Sequence, residues 1–205
     1  MDWVTVGIIS VFLGFIAYDT IRPARDYARV KGWVLKGLVS FVVYATLSTL
    51  LPFVWDEWLG AHRLFDATGL GTWGGLMVGF VTIEAFIYAW HRLLHENDFL
   101  WRWFHQMHHS AERIDAAGTF YFSPADMFGW TLLGSLALVW AVGITPEAAV
   151  LTNLVVTFFA IFTHANIRTP QWLGYFVGRP EMHAVHHERG SHSRNYCDIP
   201  LIDMV

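Results

Sequence analysis

Apolar residues along this chain gather into five long runs, from Trp3 to Tyr18, Gly37 to Trp55, Thr72 to Trp90, Met127 to Ile144 and Ala148 to Thr163. Each approaches or reaches the roughly 20 residues that a helix rising about 1.5 Å per residue needs to cross the hydrocarbon core of a bilayer. The pattern predicts an all-α fold: an integral membrane bundle of about five transmembrane spans, read as one domain over residues 1–205. No Lys or Arg precedes the first run and no cleavage site follows it, so it reads as a retained helix and not a signal peptide. Gly143 to Pro146 is a tight connection, which makes spans four and five a hairpin.

The segments between the runs are amphipathic in their own way. Asp56 to Gly71 mixes Trp58, Leu59, Leu64 and Phe65 with charges, the expected composition of an interfacial segment. Phe99, Leu100, Trp101, Trp103 and Phe104 interleave with Arg102, as in an element lying at headgroup level. The residues after His164 are too polar to cross again and are expected to form a helical cap beneath the spans.

Composition agrees with the pattern, since 55% of the 205 residues are hydrophobic and eleven are Trp. The single Cys197 excludes an intrachain disulfide. A net charge of −4, small and mixed, gives no reason to expect a nucleic-acid partner. The distribution of basic residues says more. Arg22, Arg25, Arg29, Lys31 and Lys36 lie between spans one and two, Arg92, Arg102 and Arg113 between spans three and four, and Arg168, Arg179, Arg189 and Arg194 after span five. Arg63 stands alone on the other side. Cytoplasmic loops carry the Lys and Arg excess, so the N-terminus is expected outside and the C-terminus inside.

That orientation also brings nine of the eleven histidines to the cytoplasmic face. They fall into four groups: His91 and His95; His105, His108 and His109; His164; and His183, His186 and His187. His91 and His95, one turn apart, can converge on one ion. A zinc protease would need a Glu directly after the first histidine, where this chain has Arg92. Within each HxxHH group the adjacent pair diverges by about 100° around a helix, so its two rings can serve two different metals. Nine imidazoles over two ions give four or five each, a set that suits iron, copper or zinc with a position left open. Metal capture needs neutral imidazoles, whose ordinary pKa is ~6.5, so loading is expected to fail in acid.

Other residues share this region. Glu84, Tyr88, His91 and His95 follow a helical repeat that puts a carboxyl and a phenol on the ligand face. An ionisable group inside a span is a functional candidate by default. Glu84 is expected to accept the distal N–H of a ligating imidazole, or else to line a polar crevice or contact a loop. Asn166 is placed to steer the His164 ring or to cap span five. His192 reads as a surface or outer residue, and His62 lies on the opposite membrane face, outside the site.

These residues resemble the fatty acid hydroxylase / sterol desaturase superfamily of membrane di-iron oxygenases over roughly residues 80 to 205. The matching features are Glu84 seven positions before His91, His91 with His95, Leu100-Trp101-Arg102 before His105, His108 and His109, then His164 with Asn166, then His183, His186 and His187, then Asn195-Tyr196. Two departures stand out. Ser193 occupies a position where the family carries Asp, and the chain reads Ile202-Asp203-Met204-Val205 and stops inside the family's last motif, as a natural short form or a truncated sequence would.

The resemblance implies two iron ions held by the nine histidines, with zinc a possible substitute in purified protein. It further implies O2 as co-substrate and hydroxylation or desaturation of a C–H bond in a membrane lipid, such as a sterol or fatty acyl chain. The sequence carries no flavin, haem or iron–sulfur signature, so electrons are expected from a separate donor: a cytochrome b5, a ferredoxin or an NADPH-linked reductase. An alternative is a histidine-rich membrane metal transporter or metal-binding protein. Transporters place ligands near the midplane on broken helices, whereas these groups sit at span ends. A b-type cytochrome would have no use for two adjacent HxxHH groups, and a Soret band would reveal one.

Overall fold

The computed structural model describes residues 3–191 and 193–204, with side chains from Val6 onward. Its helices are α1 (Trp3–Ile21), α2 (Trp33–Leu50), α3 (Pro52–Ala61), α4 (Gly71–Glu96), α5 (Asp98–Leu100), α6 (Gln106–His109), α7 (Pro124–Ser135), α8 (Pro146–His164), α9 (Pro180–His186) and α10 (Pro200–Asp203). No strand occurs among the described residues.

Helix α3 continues α2. Leu51 keeps right-handed helical geometry, at φ −61° and ψ −37°, and Pro52 sits where the first turn has no use for its missing N–H. The apolar helix therefore runs on past Trp55 through Trp58 and Leu59, residues that the sequence pattern assigned to an interfacial segment.

Three helical stretches, Trp33–Ala61, Thr68–Glu96 and Pro146–His164, have the length and hydropathy to cross a membrane. The apolar part of α1 (Val6–Ile21) and the run of α7 into a π-helical turn at Leu136–Ala141 complete the bundle. Its outer faces are greasy: Val39, Val42 and Val54 are exposed, and Phe53 is 83% exposed. A water-facing helix would seldom carry such a surface, whereas helices that satisfy their own backbone can present it to lipid.

Close packing fixes the helix ends that carry the histidines. At Gly75 a side chain would stand 2.7 Å from the Cβ of Ala148, so α4 and α8 approach nearly backbone to backbone. Ile83, Ala137, Leu138, Ile144 and Ala148 fill the space beside this contact. On the other flank Phe12, Ala116, Phe120 and Ile161 form a second core, with Phe41 and Tyr44 of α2 packed on it. Gly37 of α2 lets the carbonyl of Ala117 come so near that a Cβ would lie 2.0 Å from it. The turn at Ala116–Gly118 is thereby held against α1 and α2, beside the ends of α4 and α8.

The cap is tied down by polar contacts. Glu181 accepts from the Thr169 backbone N–H and hydroxyl, both at 2.7 Å, while Arg179 donates to the Thr169 carbonyl at 2.9 Å. These bonds fix the start of α9 to the chain leaving α8, and so set the depth at which α9 meets the other histidines.

Candidate metal centre

Four elements deliver the nine histidines. His91 and His95 close α4, His164 closes α8, and His183, His186 and His187 lie on α9 and at its end. His105 ends a π-helical turn at Trp101–His105, in which Gln106 N–H reaches back to the Trp101 carbonyl, and His108 and His109 follow on α6. Such wide turns insert one residue into the helical register and recur at functional sites.

The rings converge as two groups. Nitrogens of His91, His95, His105, His109 and His186 all lie within 4.8 Å of one another, and so do those of His108, His164, His183 and His187. Each adjacent pair is split: His108 joins one group and His109 the other, and His187 and His186 divide likewise. The groups abut, since the His109 and His187 rings stack with centroids 4.1 Å apart.

Hydrogen bonds at Nδ1 decide which nitrogen is free. His91 donates to the Tyr196 carbonyl at 2.9 Å, His186 to the Arg194 carbonyl at 2.7 Å and His164 to the Ala160 carbonyl at 2.8 Å. His183 bonds Asn195 Oδ1 at 2.8 Å and His105 bonds Asp126 Oδ2 at 2.9 Å. A carbonyl oxygen can only accept, so His91, His164, His183 and His186 carry their proton on Nδ1 and present a bare lone pair at Nε2, and an ionised Asp126 fixes His105 in the same way. Those lone pairs face each other: His91 and His186 Nε2 are 3.2 Å apart, and His164 and His183 Nε2 are 3.3 Å apart. Burial, reinforced by neighbouring imidazoles, holds His183 and His186 well below the ordinary histidine range, so a second ring proton does not relieve the contact.

A cation between the nitrogens does relieve it. Two nitrogens bound at about 2.1 Å with angles between right and tetrahedral stand roughly 3.0–3.4 Å apart. The contacts His91–His105 at 3.0 Å, His108–His164 at 3.0 Å and His183–His187 at 3.2 Å fall in that range. The donor set therefore fits a metal ion in each group. Trp101, Trp130 and Tyr196 pack their rings on the imidazoles and shield them from water.

Beside the groups lies a cavity of about 140 Å³, lined by His91, His105, His108, His164 and His183 and by apolar residues including Ile87, Phe120, Phe122, Trp130 and Val156. Asp198 also lines it, and burial together with the Glu84 carboxyl holds that acid well above the usual carboxylate range.

Three residues singled out from the sequence have other partners. Glu84, fully buried, accepts from the Asp198 backbone N–H at 2.7 Å; it ties α4 to the loop after α9 and does not meet an imidazole. The face rule placed it correctly along the helix but could not show what packs against that face. Tyr88 accepts a bond from Arg92 at 2.7 Å near the surface. Asn166 neither steers His164 nor caps α8: its side chain clasps the backbone of Arg25, accepting at 3.0 Å and donating at 2.8 Å, which fastens the α1–α2 connection. His62 stacks on Trp58 at the opposite end of the bundle, and His192 lies outside the described residues.

Two positioning residues escaped the sequence reading. Asp126 has a local signal, since Ser123 caps the α7 N-terminus by accepting from the Asp126 N–H at 3.1 Å. That signal marks a helix start, not a partner for His105. Asp203 receives the backbone N–H groups of Asn195 and Tyr196, the latter at 2.8 Å, and so braces the two residues that orient His183 and His91. Asn195 itself takes left-handed geometry at φ 57°, a conformation Asn tolerates better than most residues.

A family model described as fatty acid hydroxylase matches residues 76–205. The chain is 32% identical over 205 residues to an ornithine lipid hydroxylase of Rhizobium tropici, a match covering 90% of this chain and 57% of that protein. It is 26% identical to a sphingolipid C4-hydroxylase of Schizosaccharomyces pombe, over 94% of this chain and 61% of the relative. Identity to sphinganine C4-monooxygenase 1 of Arabidopsis thaliana is 24%, over 91% of this chain and 74% of that one. The chain thus spans about three fifths of the length of the first two relatives. No solved structure matches it.

Proposed function

The chain belongs to the fatty acid hydroxylase family, and from that premise we propose that it is an O2-dependent hydroxylase of a membrane lipid, working through two iron ions. The observation that carries this reading is the pair of converging lone-pair groups beside an apolar cavity. His91, His95, His105, His109 and His186 would hold one ion, and His108, His164, His183 and His187 the other. Iron in both places would supply the one-electron chemistry and dioxygen activation that no side chain of this protein can perform.

The remaining work belongs to the protein. Ile87, Phe120, Phe122 and Val156 line a passage suited to an alkyl chain, which presents one carbon to the imidazole-lined end. Trp130 and Phe122 exclude water from that carbon. The Nδ1 hydrogen bonds fix the orientation of the His91, His105, His164, His183 and His186 rings before any ligand arrives. The Lys and Arg distribution supports a cytoplasmic histidine side, where a separate protein donor would deliver electrons. Relatives named for hydroxylation favour an alcohol product over an alkene.

Lipid extracts of cells with and without the chain test the reading. A lipid gaining 16 mass units, lost when His91 and His164 are replaced by Ala, is the expected result; a loss of 2 units would make the enzyme a desaturase. No altered lipid in a chain loaded with two irons and supplied with a reductant would contradict it. Purified protein given lipid and oxygen without reductant is expected to be inactive.

A further inference from the structure

Among the described contacts, a charged one sets the two histidine groups apart. His105, of the five-histidine group, leans on a carboxylate, Asp126 Oδ2 at 2.9 Å. His183, of the four-histidine group, leans on an amide, Asn195 Oδ1 at 2.8 Å. Both contacts are buried, Asp126 completely so and His105 to within 1%. We propose that Asp126 makes the two groups chemically unequal: acting through His105, it holds the cation of the five-histidine group more tightly than the amide-braced group holds its own. This rests on the two-metal reading above.

The placement of Asp126 is built, not incidental. The Ser123 hydroxyl donates to the Phe104 carbonyl at 2.8 Å while its oxygen accepts from the Asp126 N–H at 3.1 Å. One side chain thereby joins the π-helical turn that carries His105 to the first turn of the helix that carries Asp126. Burial gives the contact its weight. A carboxylate removed from water is costly unless a positive charge lies near, and the ring between Asp126 and the converging nitrogens is neutral. A cation at Nε2 of His105 supplies that charge one imidazole away. In return the carboxylate draws the Nδ1 proton and makes Nε2 a stronger donor, as carboxylate–histidine–metal arrangements do. An amide accepts the same hydrogen bond with the same shape and lends no charge. Asn195 is thus a natural neutral control inside the same molecule. Asp126 is a positioning residue that acts through His105.

The contrast can be tested by exchanging the two side chains. The full-length chain in detergent is loaded with Co²⁺ and challenged with excess EDTA, and metal release is followed by absorbance and metal analysis. Wild type is expected to release its two ions in a fast and a slow phase. D126N preserves the hydrogen bond and removes the charge, so its slow phase is expected to quicken by about 10- to 100-fold while the fast phase stays put. N195D is expected to slow the fast phase. D126E, which keeps the charge, is expected to retain the slow phase. Should D126N fold poorly, N195D carries the test alone, and a fast phase unchanged in N195D would then overturn the proposal. Two phases unchanged in D126N would overturn the proposal, as would equal loss of both phases or a D126E variant indistinguishable from D126N. Wild-type protein that takes up no Co²⁺ would instead remove the two-metal reading, and this proposal along with it.

Discussion

The five-histidine and four-histidine groups draw on shared and private parts of the fold. Helices α6 and α9 feed both, through the adjacent pairs His108–His109 and His186–His187. Helix α4 serves only the first group and α8 only the second. Their bracing differs as well. His164 is oriented by Ala160, one turn back on its own helix, whereas His91 depends on the Tyr196 carbonyl, more than a hundred residues along the chain. The lesson is that bundle helices separate the two groups, short cap helices couple them, and the loop at Arg194–Tyr196 supports rings in both.

The largest effect expected is from cutting the coupling. His108→Ala and His109→Ala alter neighbouring residues but opposite groups. Each is expected to leave about one metal per chain and to lower turnover by more than the roughly 10- to 100-fold that losing an outer hydrogen-bond partner costs. Metal analysis with site-resolved spectroscopy would show different ions missing in the two variants; the same ion missing from both would break the division. Asp203→Ala should act across it. Without the bonds to Asn195 and Tyr196 N–H, His183 and His91 lose their braces together, and chelator competition should show both ions weakened by about 10- to 100-fold.

Acid should affect both groups, because burial holds His105, His108, His109, His183, His186 and His187 below the ordinary range. The unfolded chain protonates these rings near pH ~6.5 while the folded one does not, so apoprotein stability is full above that pH and falls as pH drops toward the depressed folded values. Thermal unfolding of metal-free protein at pH 7.5 and pH 5 checks this; equal midpoints would contradict it. Gly75→Val intrudes where α4 meets α8 and is expected to cost about 1–3 kcal/mol, read as a lower Tm. Tyr88→Phe, which removes only a bond to Arg92 near the surface, should change stability by less than about 0.5 kcal/mol and leave metal content intact.

Much of this division could be read from the chain. The 100° step between helical neighbours already separates His108 from His109 and His186 from His187, because it is a local property that needs no knowledge of packing. Glu84 shows the limit of such reasoning. Its helical face was legible, but the group opposite, the Asp198 N–H, comes from a loop 114 residues later whose path depends on Asp203 and the αL backbone at Arg194 and Asn195. Asn166 failed for the same reason, since its partner Arg25 lies 141 residues away. Asp126 stood in plain view as a helix-start residue, yet its contact with His105 exists only because Ser123 ties α7 to a π-helical turn that local propensity does not announce. Helix α3 extended the second apolar run because Leu51 keeps helical geometry and Pro52 falls in the first turn of α3, where its missing N–H is tolerated.

The central claim is that neighbouring histidines on α6 and α9 serve two separate ions. An anomalous-scattering map of iron-loaded crystals tests it most directly. The account predicts two iron peaks, one enclosed by His91, His95, His105, His109 and His186 and the other by His108, His164, His183 and His187. A single peak, or two peaks sharing one of these groups, would contradict it.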